Sequence, residues 1–166
     1  MEHEAFMSMA LAEARKAFEA REVPIGAVVV LDGQVIGRGH NLRERLQDPT
    51  AHAEILAIRE AGLRARGWRL TGSTLYVTVE PCPMCFGAAL QARVERLVYG
   101  AKDPKAGACG SVVDLALAEG FNHKVEVIPG ILESECRSLL REFFQRLRVV
   151  SGGMPELAER ARLENG

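Results

Sequence analysis

Two short motifs that lie far apart in the chain constrain its fold more than any other feature. The first is His52-Ala53-Glu54, and the second is Pro81-Cys82-Pro83-Met84-Cys85. One imidazole and two thiols provide three metal ligands, the number that a catalytic zinc ion keeps while its fourth position stays open to water. A carboxylate two residues after the imidazole suits a general acid or base beside that open position. The chain must therefore fold so that these two segments meet.

The cysteine motif has the pattern of a helix start. Proline is favoured at the first position of a helix, so Pro83 predicts Cys82 as the N-cap residue and Cys85 at the third helical position. Both sulfurs would then lie at the positive end of a helix, which lowers the pKa of a thiol and favours the metal-binding thiolate. A second helix is predicted to follow His52, with Asp48 or Thr50 as its cap.

The alternative for these ligands is a structural zinc site that Cys109 or Cys136 would close. Structural sites usually pair their ligands in two knuckles, which favours the open, catalytic arrangement for this chain. We expect Cys109 to be a small packed residue of a glycine-rich loop and Cys136 to be a core residue of the last helix.

Composition indicates one ordinary globular domain. The chain has 166 residues, of which 48% are hydrophobic and 26% charged, and its formal net charge is −1. It has no apolar stretch long enough to span a bilayer and no basic leader, so we expect a cytoplasmic protein without a membrane partner. A near-neutral charge does not exclude nucleic-acid binding, because a local basic patch is enough.

Strands alternate with helices after an opening hairpin, which predicts a layered α/β domain with a mixed sheet. The last sixteen residues form a charged tail, so the predicted domain spans 1–150 and the tail 151–166. Helices are predicted over 6–21, 52–65, 83–92, 112–119 and 133–150, and strands over 25–31, 34–39, 74–79, 96–99 and 125–128; polar connections are predicted over 41–50 and 100–111.

With these residues in place, the chain resembles the bacterial tRNA adenosine deaminases of the cytidine-deaminase-like zinc family. The resemblance runs from the first helix to about Arg148, and it implies a three-layer α/β/α fold with a five-stranded mixed sheet. The matching blocks are REVPIGAV (21–28), DPTAHAEI (48–55), TLYVTVEPC (74–82), YGAKD (99–103) with Gly107, and NHKVEV (122–127).

The resemblance implies a chemistry for the two motifs. One zinc ion per chain is held by His52, Cys82 and Cys85, and it activates a water molecule that attacks C6 of adenine. Glu54 moves the protons, and the product is inosine. In the family, the target is the wobble adenosine of a tRNA anticodon, flipped into the pocket. The family also implies a homodimer.

Three further residues are expected to contact the substrate. Asn41 matches a family residue that hydrogen-bonds the base, and Asp103 matches a loop residue near the ribose. Lys105 is a basic group suited to the anticodon arm. Asn and Asp also favour turns, so a purely structural role is the alternative for Asn41 and Asp103. Arginines of the last helix are either further phosphate contacts or a solvated face balanced by glutamates.

Two other functions are compatible with the motifs. One is deamination of a free base or nucleoside, such as guanine or cytosine, by the same zinc chemistry. The other is a non-catalytic, zinc-stabilised RNA-binding module, which would have no need of Glu54. The Asp103 loop and the Asn122-His123 block favour the tRNA-acting branch over the free-base branch.

Overall fold

The computed structural model describes residues 2–150, and the predicted tail lies outside them. None of the helices in this range is long and apolar enough to cross a membrane. The elements are α1 (Glu2–Glu19), β1 (Gly26–Leu31), β2 (Gln34–His40), α2 (Arg43–Leu46), α3 (Ala53–Ala65), β3 (Thr74–Val79), α4 (Pro83–Gln91), β4 (Arg96–Ala101), β5 (Glu126–Ile128) and α5 (Glu133–Val150).

The strands form one five-stranded mixed sheet in the order β2-β1-β3-β4-β5. β1 is antiparallel to both of its neighbours, whereas β3, β4 and β5 are parallel. Parallel strands need a crossover connection. β3 and β4 are joined through α4, whereas β4 and β5 are joined by the turns and loops of 102–125. The predicted mixed sheet and its strand number are confirmed.

Helices cover both faces of the sheet, which gives the three layers. Side chains alternate along the central strands: Val28 of β1 packs with α1 on one face, and Val29 packs with α3 and α4 on the other. All six residues of β3 are buried. Burial on both faces is the reason that these strands have continuous apolar sequences.

Two glycines allow α3 to approach the sheet closely. A Cβ atom on Gly37 would overlap the Ala57 carbonyl oxygen, and one on Gly39 would overlap the carbonyl oxygen of Ala53. A larger residue at either position would push α3 away from β2. Because His52 directly precedes α3, this contact also sets the position of the first motif.

The outer edge of β2 is in contact with side chains of α3. The Glu60 carboxylate accepts a hydrogen bond of 3.4 Å from the Arg38 backbone N–H. One turn further along the helix, the Arg64 guanidinium donates one of 3.3 Å to the Val35 carbonyl oxygen. Two backbone groups of this edge strand are therefore paired with side chains.

The helix predicted over 112–119 is wrong, since this segment forms turns. The N–H of Val112 donates to the Gly107 carbonyl oxygen, and the N–H of Leu115 donates to that of Ala108. Asp114 caps the N–H of Ala116 at 3.1 Å. These bonds connect the segment back to the preceding loop and leave no regular helical series.

The segment 41–50 contains α2, one helical turn that the prediction of a plain connection missed. Neither predicted cap of α3 acts as one, because His52 is the N-cap residue. Asp48 instead closes a turn by accepting hydrogen bonds from the N–H and the hydroxyl of Thr50, at 2.8 and 2.7 Å. A short polar side chain stabilises such turns as readily as helix ends.

Candidate functional site

The two motifs meet at the ends of α3 and α4. The ligand atoms of His52, Cys82 and Cys85 all lie within 4.8 Å of one another, so these residues could hold a metal ion. The His52 Nδ1 atom is 3.6 Å from the Cys82 sulfur and 3.4 Å from the Cys85 sulfur. Within residues 2–150, Cys109 and Cys136 are not members of this group. Cys136 is instead 1% exposed, as predicted for a core residue.

The local backbone conformation positions the side chains of His52 and Cys82 at the starts of two helices. His52 and Cys82 are the N-cap residues of α3 and α4, and both have extended backbone conformations. Neither side chain bonds to its own helix as a cap. Pro83 occupies the first turn of α4, as predicted. The positive ends of two helix dipoles therefore lie at the site and favour anionic groups there.

The ionisation of the three ligand groups is strongly perturbed. A hydrogen bond from the Cys85 thiol, together with His52, lowers the pKa of Cys82 to about 4. The pKa of Cys85 is raised, first by its bond to Cys82 and then by burial. The pKa of His52 is raised by the hydrogen bond with Cys82. The Cys82 thiolate thus forms readily. A divalent cation bound among the three groups would also favour the thiolate form of Cys85.

Glu54 lies beside this group at the second helical position of α3. The residue is only 4% exposed, and burial raises the pKa of its carboxyl group. The neighbouring His52 acts in the opposite direction. A carboxyl group with a raised pKa can accept and return protons near neutral pH, as a general acid and base must. The start of the helix brings both residues to one cavity despite their i, i+2 spacing.

A cavity of about 740 Å³ adjoins the cluster of His52, Cys82 and Cys85. Its lining includes His52, Glu54 and Cys82. The three residues expected to contact substrate, Asn41, Asp103 and Lys105, line it as well. Residues from four separate segments of the chain are thus brought together in one space.

Asn41 and Asp103 also have structural roles, as the alternative for each predicted. The Asn41 amide donates to the Val23 carbonyl oxygen at 3.3 Å and accepts from the Arg43 N–H at 3.1 Å. One Asp103 oxygen accepts from the N–H groups of Lys105 and Ala106, at 3.1 and 3.2 Å. Turn formation and a place in the cavity therefore coexist at both positions.

One face of α5 forms a wall of the cavity. Arg137, Arg141, Phe144 and Arg148 line it, at spacings of four, three and four residues that belong to one helix face. Arg137 is paired with Glu133 one turn away. Phe143 instead belongs to the buried side of the helix. Basic groups and an aromatic ring thus line the same cavity as His52 and Cys82.

Comparison with known proteins identifies the family. A family model for MafB19-like deaminases matches residues 1–148. A tRNA-specific adenosine deaminase of Bacillus subtilis is 54% identical over 145 residues, which is 87% of this chain and 90% of that protein. The chain belongs to the tRNA-specific adenosine deaminase family.

Solved structures agree with this membership. A structure from a study of A-to-I editing by tRNA:A34 deaminases at the wobble position of transfer RNA superimposes on this deaminase with a TM-score of 0.78. The two are 50% identical, and the match covers 81% of this chain and 98% of the other. A guanine deaminase from Nitrosomonas europaea gives a TM-score of 0.71 at 29% identity, over 84% and 83% of the two chains.

Sequence reasoning missed two charged residues that line the cavity of this deaminase. Arg43 lines the cavity from α2, the helical turn that the polar sequence concealed. Glu80 is 3% exposed and follows directly after β3. A charged residue between a buried strand and Pro81 was the available signal for Glu80, because charges are rarely buried without a specific partner.

Proposed function

We propose that this deaminase converts adenosine 34, the wobble base of a tRNA anticodon, to inosine by zinc-dependent hydrolysis. The observation that carries the proposal is the placement of Glu54 beside the His52, Cys82 and Cys85 group in a cavity with a basic rim. Family membership and the similarity to a wobble-editing deaminase support the same reaction.

Zinc is the metal that this donor set fits best. One nitrogen and two sulfur ligands match a catalytic zinc site that keeps its fourth position open. A zinc ion held by His52, Cys82 and Cys85, one per chain, would supply a water molecule whose pKa is lowered toward neutrality.

Glu54 performs the proton transfers in the proposed reaction. It takes a proton from the attacking water and delivers it to N1 of the adenine ring while the water oxygen bonds to C6. It then carries the second proton to the departing amino group, so that the C6–N6 bond breaks and ammonia leaves. The reaction consumes one water and yields inosine. The raised pKa of Glu54 suits a group that both accepts and donates a proton.

The cavity rim suits a polynucleotide. In the proposed complex, Asn41 hydrogen-bonds the base and Asp103 bonds the ribose 2′-OH, a group that distinguishes RNA from DNA; both residues line the cavity. Phe144 offers an aromatic surface on which a base can stack. Although the whole chain has a net charge of −1, six cations line the cavity and can contact phosphates: Arg43, Lys102, Lys105, Arg137, Arg141 and Arg148.

Deamination of a free purine is the second candidate function, and the similarity to a guanine deaminase favours it. The test is incubation of the purified protein with an anticodon stem-loop that carries adenosine 34 and, separately, with adenosine, guanine and cytosine. We expect inosine in the stem-loop and little turnover of the small substrates. A stem-loop with guanosine at position 34 is the matched control. Rapid turnover of a free base with an inert stem-loop would overturn the tRNA proposal.

We also propose that the deaminase works as a homodimer, with tRNA in the cytoplasm as its substrate. The outer face of α4 supports the dimer: Pro83 and Met84 are exposed, and Gly87 and Ala88 are half-buried. This apolar face adjoins the metal ligands, and a second copy packed there would cover it. Light scattering should give twice the chain mass, and Met84→Glu should shift the protein toward the monomer. A monomer at working concentration would refute the dimer.

A further inference from the structure

Glu80 is a buried carboxylate that accepts hydrogen bonds from a single loop. Its Oε1 atom accepts from the N–H of Asp103 at 3.2 Å and from the hydroxyl of Ser111 at 2.5 Å. Its Oε2 atom accepts from the N–H groups of Cys109 and Ser111, at 3.0 and 3.2 Å. Three backbone donors and one hydroxyl therefore converge on one side chain.

No cation neutralises this carboxylate within residues 2–150, where it forms no ion pair. A buried charge is costly unless hydrogen bonds compensate it, and here the donors all come from residues 103–111. The conformation of this loop and the burial of Glu80 are therefore interdependent. We call residues 103–111 the glutamate-bound loop.

The loop is packed tightly around the carboxylate. A Cβ atom on Gly107 would overlap the Glu80 carboxylate and the Asp103 carbonyl oxygen. The N–H of Gly107 donates to that same carbonyl oxygen at 2.9 Å, and the N–H of Ala108 donates to the Pro81 carbonyl oxygen at 2.8 Å. Position 107 thus has room only for glycine.

Glu80 connects this loop to the sheet. Its N–H donates to the Ala101 carbonyl oxygen at 2.8 Å, which continues the pairing of β3 with β4. At the other side of the carboxylate, the loop carries Asp103 and Lys105 into the cavity. The position of these two side chains relative to the metal ligands therefore depends on Glu80.

We propose that Glu80 is a positioning residue for polynucleotide binding, which holds the glutamate-bound loop so that Asp103 and Lys105 meet the RNA. The proposal rests on the proposed function, since it takes that loop as part of the RNA-binding rim. It assigns two roles within one cavity. His52, Cys82, Cys85 and Glu54 perform the chemistry, and Glu80 fixes the conformation of the loop that binds the RNA.

The test compares Glu80→Gln with the wild-type enzyme on an anticodon stem-loop. Both carboxylate oxygens accept bonds, so an amide of the same shape must turn one donor toward another donor. We expect KM to rise about tenfold or more, kcat to stay within about threefold, and zinc content to remain one per chain. Glu95→Gln is the matched control, because that glutamate lies on the surface with its side chain 55% exposed. Its KM should match the wild type.

Ser111→Ala tests the same inference without a change in a buried charge. It removes the hydroxyl donor of an exposed residue, so folding is preserved and KM should rise about threefold with kcat unchanged. A KM within twofold of wild type in folded Glu80→Gln, or in Ser111→Ala if the first variant does not fold, would overturn the proposal. A fall in kcat alone, or loss of zinc, would place Glu80 in the reacting centre instead. A wild-type enzyme that is inactive on the stem-loop would refute the proposed function itself.

Discussion

The basic rim predicts that RNA binding depends strongly on salt. Of its six cations, Lys102, Lys105 and Arg141 show no ion pair with any residue of the 2–150 range, so they are the first candidates for phosphate contact. Each phosphate contacted on a single strand contributes a slope of about −0.7 to log affinity against log salt. Three contacts predict a slope of about −2, and six predict about −4. Between 50 and 200 mM salt, affinity should fall about 20-fold to about 300-fold.

Fluorescence anisotropy with a labelled anticodon stem-loop measures this slope, and a Glu54→Ala background prevents turnover. Lys105→Ala should weaken binding and make the slope shallower by about 0.7. Lys124→Ala is the matched control, since Lys124 is exposed and is not part of the cavity lining. A slope near zero, or a slope that Lys105→Ala leaves unchanged, would refute electrostatic binding of RNA phosphates by these cations.

Three further predictions concern chemistry, metal and stability. Glu54→Ala should keep zinc and fold but lower kcat by about 10²–10⁴-fold, and retention of a tenth of the activity in a single-turnover assay would contradict the proton-transfer role. Metal analysis should show zinc lost in Cys82→Ser and kept in Cys109→Ala; the reverse would indicate a closed structural site. Burial raises the pKa of the Cys136 thiol to about 12. Well below the usual thiol pKa of about 8.5, this thiol is neutral in both states. Between about pH 9 and 12 the unfolded state has released the proton and the folded state keeps it, so stability falls with rising pH by at most about 1.4 kcal/mol per unit. Urea titrations at pH 8 and 10.5 should show a smaller fall for Cys136→Ala, and an equal fall would exclude this contribution.

The sheet and the proximity of His52, Cys82 and Cys85 could be predicted because their signals are local. Apolar strands, the Pro83 helix start and the ligand spacing each depend on a few neighbouring residues. The bounds of α5, Glu133–Val150, agree with the prediction because this helix has an amphipathic pattern along its whole length. Cys82 is the N-cap residue for the same local reason.

The loop after β4 could not be predicted in the same way. Val112 and Leu117 suggest an apolar helix face, yet both are exposed. The backbone donors just before them are bound to Glu80, a residue about thirty positions earlier. Hydrogen bonds at such a separation leave no periodic pattern in the sequence, so local propensity favoured the wrong structure. The hydrogen bonds of Glu80 to residues of the 103–111 loop could not be predicted for the same reason.

The contacts between α3 and β2 have a consequence for self-association of the folded chain. An edge strand exposes unpaired N–H and C=O groups that can template pairing with a strand of another molecule. Glu60 and Arg64 bind two of those groups on β2, at Arg38 and Val35. The register of the β1–β2 pair also shifts between Val29 and Val30, which interrupts the regular pairing of this hairpin. The opposite edge, β5, has only three residues. Side-chain pairing on β2 and the short length of β5 thus limit strand addition of the amyloid type, and the helix that follows His52 also protects the edge of the sheet.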